Sequence, residues 1–158
     1  MAIEIPGVGK MKRFLLAMFP LVTLFAGCGE PGRANFEIFE GLHPVKGELR
    51  FKGEPIPEAS LRLHPMPLGS DGPIVSAVVD SDGTFEVYTF RPEGKGLGAP
   101  AGEYRATVSW FGPTAGMTED QRDELKELLP AKYGRAQTSP VNIQVAVGEN
   151  EVGTISLD

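Results

Sequence analysis

The residue types that most often carry chemistry are few and far apart in this chain. Its 158 residues contain one cysteine, Cys28, and two histidines, His43 and His64, which lie twenty-one positions apart. A zinc ion is usually held by about four Cys, His or carboxylate ligands at short, regular spacing. We therefore expect no zinc site, and we expect His64 to be an exposed residue on the solvent side of a strand.

Two aspartates before a glycine could instead point to calcium. Asp80 and Asp82 precede Gly83 in the order found in half of a calcium-binding loop. The other half requires further oxygen ligands and a bidentate glutamate at a later position, and Glu86 comes too early to serve. Asp and Gly are also the residues that a tight turn favours. The segment predicts a turn between strands, without a metal or another cofactor.

Catalytic motifs are missing from the sequence. Nucleophilic hydrolysis needs a Ser or Thr beside an oriented base, and neither G-x-S-x-G nor S-x-x-K occurs. The charged residues of segment 119–127 fit the solvated face of a helix better than a pair of catalytic carboxylates. An isopeptide bond from Lys46 or Lys52 to Asn150 is a further alternative, but alternation places Lys46 outside and Asn150 suits a turn. We expect a protein that is not an enzyme.

Cys28 stands at the end of a segment built like a secretion signal. A basic stretch (Lys10, Lys12 and Arg13) is followed by an apolar run from Phe14 to Phe25 and then by small residues. The run of twelve residues is shorter than the roughly 20 that a membrane-spanning helix needs. An acid and a Pro-Gly pair precede the basic stretch, which leaves Met11 as an alternative to Met1 for the start of translation.

The residues Phe25-Ala26-Gly27-Cys28 resemble the bacterial lipobox, although Phe25 departs from the usual branched aliphatic residue. The resemblance implies cleavage before Cys28 and attachment of acyl chains such as palmitate. Several chains together would hold the protein on a bilayer, at about 0.8 kcal/mol per buried methylene. Gly29 stands where an aspartate would favour the inner membrane, which implies the outer membrane, at its periplasmic face or at the cell surface. Ordinary signal cleavage elsewhere is the alternative.

The charge of the chain limits its partners. Removing residues 1–27 removes Lys10, Lys12, Arg13 and Glu4, which takes the net charge from −6 to −8. An acidic surface does not attract nucleic acid or anionic lipid headgroups. The acyl chains would therefore supply all of the attraction to the membrane.

The sequence divides into three predicted regions: a signal peptide at 1–27, a lipidated cysteine with a tether at 28–44, and a domain at 45–158. The domain shows period-two alternation between turns rich in Gly, Pro, Asp and Asn, which indicates antiparallel β-structure. A capping box at Thr118 predicts one inserted helix, Glu119 to Leu129. We predict an all-β, seven-stranded antiparallel Ig-like or prealbumin-like sandwich with strands Val45–Phe51, Ala59–His64, Ile74–Val79, Thr84–Thr89, Glu103–Trp110, Val141–Val147 and Val152–Leu157.

The order of several short phrases resembles the carboxypeptidase regulatory-like, or transthyretin-like, domain of small bacterial surface lipoproteins. The resemblance covers Val45 to Leu157, about seven-tenths of the chain. It implies a prealbumin-like sandwich that serves as an accessory, adhesive or folding-support module, and it does not imply a peptidase. The phrases are Val45-Lys46-Gly47, Gly53 to Ala59, Asp80 to Phe85, Pro100 to Tyr104 and Leu129 to Tyr133.

We therefore expect a non-catalytic, membrane-anchored module with an envelope protein or a polysaccharide as its partner. The alternative is a carrier of carbohydrate or a small ligand, with Tyr88, Trp110 and Phe111 as an aromatic platform. A weaker alternative is an accessory subunit that pairs through an edge strand or the helix. The position of Trp110 distinguishes the first two hypotheses. Alternation predicts that Trp110 is buried in the core, whereas an aromatic platform requires it to be exposed.

Overall fold

The computed structural model describes residues 39–158, and these are almost entirely β-structure. Twelve strands and one short helix follow each other along this part of the chain. Their bounds are β1 Leu42–His43, β2 Val45–Phe51, β3 Glu54–Pro55, β4 Ser60–Pro65, β5 Ile74–Val78, β6 Thr84–Glu86, β7 Tyr88–Arg91, β8 Gly94–Leu97, β9 Ala99–Pro100, β10 Gly102–Ser109, α1 Glu119–Asp123, β11 Asn142–Val145 and β12 Asn150–Leu157.

The strands form two principal sheets around one core. The first sheet has six antiparallel strands in the order β11-β10-β4-β5-β7-β8. The second has the order β12-β2-β3, with β6 also paired to β2, and a separate two-stranded sheet joins β1 to β9. Buried residues of both principal sheets, such as Leu49, Leu61 and Val108, belong to the same apolar cluster. The predicted all-β sandwich is confirmed.

Alternation identified the core faces of the strands correctly. The predicted bounds of the first strand, Val45 to Phe51, are those of β2, in which Val45 and Leu49 are buried while Lys46 is exposed. In β10 the alternate residues Tyr104, Ala106 and Val108 are likewise buried. A strand with one face against a core must alternate in this way, because successive side chains point to opposite faces.

The predicted strand Thr84–Thr89 is instead two strands in different sheets. β6 pairs with β2, whereas β7 pairs with β5 and β8. The chain crosses between the sheets at buried Val87, whose N–H donates to Val45 O (3.0 Å) and whose carbonyl accepts from Gly98 N (2.7 Å). The turn at Asp80–Gly83 is closed by the isolated antiparallel bridge Val79↔Phe85, which joins the residue after β5 in the first sheet to β6 in the second.

One strand pair departs from the predicted antiparallel arrangement. β12 runs parallel to β2, from Asn150 beside Val45 to Leu157 beside Phe51, with an irregularity between Glu151 and Thr154. Parallel neighbours need a long connection, and here most of the domain lies between the two strands. The alternation of a strand marks its buried face but carries no information on the direction of its partner.

The predicted tether extends too far, because its last residues belong to the folded domain. β1 lies within the predicted tether 28–44 and pairs with β9, and the segment also contains Phe39. Phe39 and Leu42 lie over buried Gly96 of β8, where an added Cβ would come within 2.6 Å of Leu42 Cδ1 and closer still to Phe39. Gly96 thus leaves room for the segment that leads into the sandwich.

The inserted helix begins as predicted and ends early. The Thr118 hydroxyl accepts from Gln121 N, and the Gln121 side chain accepts from Thr118 N, which completes the capping box. The helix ends at Asp123 rather than Leu129. Leu128 N donates to Trp110 O (2.9 Å), and Leu129 is buried in the core, so this segment follows the end of β10 instead of continuing the helix.

Candidate functional site

Cys28, the predicted lipidation site, lies outside the described residues, as does the predicted signal peptide. Within residues 39–158, no helix combines the length and apolar character required to cross a membrane.

The predicted aromatic platform is not assembled. Trp110 continues the core-facing alternation of β10, is half-buried against the core, and donates from Nε1 to Pro57 O (2.9 Å). Tyr88 is directly opposite Ser76, on the outer face of the six-stranded sheet. Phe111 is 45% exposed beyond the end of β10. Because Trp110 and Tyr88 belong to opposite faces of the sheet, the three rings do not form one surface.

The two histidines occupy different sheets and have different partners. His43 in β1 accepts a hydrogen bond at Nδ1 from Gly148 N (3.2 Å). His64 is half-buried on the outer face of β4, where a hydrogen bond joins its Nε2 to Thr107 Oγ1 (3.0 Å). Burial lowers the pKa of His64, and the positive charge of Arg62 lowers it further. No group of three or more His, Cys, Asp or Glu side chains in the described part of the chain is arranged to hold a metal ion.

Asp82 stabilises the turn in which it lies. Its Oδ1 accepts from both Thr84 N (2.9 Å) and Thr84 Oγ1 (2.7 Å), and these bonds lower the pKa of the carboxyl group. The next residue, Gly83, has a φ of +93°, and a Cβ added at this position would lie 2.9 Å from Pro55 Cβ. The Asp-Gly sequence is therefore explained by the shape of the turn.

A polar groove with a volume of about 630 Å³ lies on the outer face of the six-stranded sheet. Its floor is formed by the outward residues of β4 and β10, which are antiparallel neighbours with Arg62 opposite Thr107 and Ser60 opposite Ser109. Pro65 at the end of β4 and residues of the loops 66–70 and 134–137 complete the lining. The full lining is Ser60, Arg62, His64, Pro65, Leu68, Gly69, Ser70, Thr107, Ser109, Gly134, Arg135, Ala136 and Gln137.

The positive charges of this polar groove are not neutralised by the protein. Arg62 and Arg135 are exposed, and neither guanidinium takes part in an ion pair or a hydrogen bond with another described residue. The described residues that line the groove include no Asp or Glu. In a chain with a net charge of −6, the polar groove is a local concentration of positive charge.

Arg105 adds a third guanidinium to the same face, directly opposite His64. Its Nη1 donates to Ser139 O (3.1 Å), while its Nε is buried without a hydrogen-bond partner among the described residues. Buried polar groups in folded proteins are nearly always paired. The strand pair β4–β10 thus places Arg62 and Arg105 on one face, and the unpaired Nε of Arg105 carries an energetic cost.

A depression of about 480 Å³ on the second sheet provides a contrast. There Lys46 is paired with Glu86 at 2.7 Å, and Arg50 forms an ion pair with Glu48 beside the depression. These ion pairs raise the pKa of Lys46 and Arg50 and lower that of Glu48. The basic side chains in and beside this depression are thus paired with acids, unlike those of the polar groove.

The outer face also exposes apolar side chains on the neighbouring strands. Ile74, Val78 and Phe90 of β5 and β7 are 51%, 49% and 41% exposed. Tyr88 meets Phe90 edge-on at 5.8 Å between ring centroids, and Lys95 Nζ lies 3.4 Å from the Tyr88 centroid. β5 is an inner strand of the sheet, between β4 and β7, but its outward apolar residues are only partly covered.

Sequence reasoning missed the polar groove. Ser60, Arg62 and His64 were visible as the outward residues of one strand, and Thr107 and Ser109 as those of another. Nothing in the sequence stated that these strands are neighbours, or that Arg135 lies at the same groove. The available signal was weaker: these five outward residues are all polar, and none of them is an acid.

Comparison with known proteins leaves the chain without an assigned family. No family model matches it, and no curated protein matches it. A 9R-lipoxygenase from Cyanothece PCC8801 is a similar solved structure, with 17% sequence identity and a TM-score of 0.40. The similarity covers 82% of this chain and 18% of the lipoxygenase chain, so this chain spans less than a fifth of that protein. It carries no inference about activity.

Proposed function

We propose that this protein is a lipid-anchored, non-catalytic binding module of the bacterial envelope. The observation that carries the binding role is the polar groove, where Arg62 and Arg135 have no partner among the described residues. Strands hold the floor of this groove, which favours a preformed site. The relation to carboxypeptidase regulatory-like lipoproteins belongs to the same proposal, and rests on the order of the turn phrases.

The anchor is argued from Cys28 and its surroundings. Phe25-Ala26-Gly27-Cys28 follows a basic and then an apolar segment, and thirteen residues separate Cys28 from Leu42 of β1. A chain of that length reaches at most about 45 Å when fully extended. An acylated Cys28 would therefore keep the sandwich near the membrane surface.

Metabolic labelling tests the anchor directly. Cells expressing the full chain are fed an alkyne analogue of palmitate, and the purified protein is examined for the label. Wild type should be labelled and Cys28→Ser unlabelled. Gly27→Ala is the matched control, because alanine is also accepted before the cysteine of a lipobox, and it should be labelled like wild type. An unlabelled wild type or a labelled Cys28→Ser would disprove lipidation at this residue.

Fractionation tests the predicted location. Density separation of the two membranes should place wild type with the outer membrane, and Gly29→Asp should move the protein to the inner membrane. A wild type that sediments with the inner membrane contradicts the proposed location but leaves the lipid anchor standing.

A further inference from the structure

We propose that the polar groove binds an acidic saccharide and that Arg62 and Arg135 recognise the carboxylate of a uronic acid unit. This inference names the ligand class for the binding role proposed above and rests on that role. It does not depend on the lipid anchor.

The charge in the polar groove fits a carboxylate. A guanidinium presents a planar set of donors that matches the two oxygens of a carboxylate, and such charge-assisted bonds are stronger than neutral ones. Arg62 and Arg135 are both exposed and unpaired within the described chain. His64 lies beside Arg62, and an anion bound there would oppose the depression of the His64 pKa that Arg62 contributes.

The remaining groups fit the hydroxyls of a sugar. Ser60 and Ser109 face each other across β4 and β10, and neither hydroxyl is bonded to another described group. Gln137 supplies an amide at the same groove. Hydroxyl and amide groups both donate and accept, as ligand hydroxyls require. A simple inorganic anion would leave these groups unused.

The size and continuation of the polar groove favour a chain of sugars. Its volume of about 630 Å³ lies in the range of about 300–1,000 Å³ that is typical of sites for organic ligands. Arg62 lies opposite Ser76, and Ser76 opposite Tyr88, on the same outer face. With neighbouring strands about 4.8 Å apart, Tyr88 is roughly 10 Å from the Arg62 strand. The polar surface, followed by exposed Phe90 beside Tyr88 with Lys95 over the Tyr88 ring, would support successive sugar units.

The charge of the whole protein argues against a densely charged polymer. The chain has a net charge of −6, and like charges disfavour association with a long polyanion. A uronic acid unit carries one carboxylate among several hydroxyls. Its single negative charge matches the polar groove, because the positive charge there is confined to the groove and the protein as a whole is acidic.

Calorimetric titration of the detergent-solubilised full chain tests the proposal. The probe is a trisaccharide that contains one glucuronic acid, and its matched control has glucose at that position. The acidic trisaccharide should bind at least tenfold more tightly than the neutral one. Arg62→Gln and Arg135→Gln should each weaken its binding by on the order of tenfold, as expected for a lost charge-assisted pair. Arg122→Gln, on exposed α1, is the matched control and should leave binding unchanged.

The outcomes separate this inference from its alternatives. Equal binding of the two trisaccharides, no binding at millimolar concentration, or an equal effect of Arg122→Gln would overturn it. Full competition by inorganic phosphate at the same concentration would also overturn it, because the groove would then select only charge. Cys28→Ser should bind the acidic trisaccharide like wild type, so loss of the fatty-acid label and loss of binding identify different failures. Circular dichroism of each variant confirms that the sandwich is folded.

Discussion

Gly98 is the position where a single added methyl group should disturb the sandwich most directly. Gly98 is buried between β8 and β9 with a φ of +96°. A Cβ there would lie 2.5 Å from His43 C and 2.9 Å from Pro44 N, with His43 O closer still. These are backbone atoms, which cannot rotate away as a side chain can.

The expected cost of Gly98→Ala has two parts. Holding a non-glycine residue at such a φ costs about 1–3 kcal/mol. Forcing a methyl group into an occupied space costs about 1–3 kcal/mol more. The sum of about 2–6 kcal/mol is a large share of the roughly 5–15 kcal/mol that stabilises a typical domain. The hydrogen bonds from Gly98 N to Val87 O and from Thr89 Oγ1 to Gly98 O would be strained as well.

Gly53→Ala is the matched control. Gly53 has a φ of +88° and nothing within 4 Å of its added Cβ, so it should lose only the conformational part. Urea denaturation of the full chain, followed by circular dichroism, measures both free energies of unfolding. Gly98→Ala should lose about 1–3 kcal/mol more than Gly53→Ala. Equal losses would refute the close packing of the His43–Pro44 backbone against Gly98, and with it the inclusion of β1 in the folded domain.

Three further predictions concern single side chains. Trp110→Phe should lower the free energy of unfolding by about 1 kcal/mol, because Nε1 no longer donates to Pro57 O, while leaving binding of the acidic trisaccharide unchanged. Ser139→Ala should cost about 1–3 kcal/mol in urea denaturation, since its buried hydroxyl donates to Ala106 O. For His64, the folded-state pKa is lowered, so the unfolded state binds the proton more tightly and stability should fall as pH drops through about 6.5. His64→Gln should reduce that fall.

Each of these three predictions would be contradicted by a specific result. A Trp110→Phe variant that loses saccharide binding would place the indole in the ligand site rather than in the core. A Ser139→Ala variant as stable as wild type would mean that the Ala106 carbonyl finds another donor. A pH dependence of urea denaturation between pH 7 and pH 5 that His64→Gln leaves unchanged would assign the titration to another group.

Features that are set by residues close together in the sequence were predicted correctly, whereas features set by residues far apart in the sequence were not. Strand β2 and the core face of β10 were predicted correctly because the pleat of a strand imposes alternation locally. The capping box at Thr118 was correct for the same reason, since its bonds join residues three positions apart. The end of that helix was wrong, because Trp110 and the core decide where Leu128 and Leu129 lie.

The sequence by itself determined an all-β sandwich, its turns and the buried faces of its main strands. It also supports, as a proposal, the acylation of Cys28. Only the tertiary structure decided that β12 is parallel to β2, that the chain changes sheets at Val87, and that Arg62 and Arg135 lie at one polar groove. The physical reason is that side-chain patterning encodes which face is buried. The neighbour of each strand is chosen by packing between residues far apart in the chain.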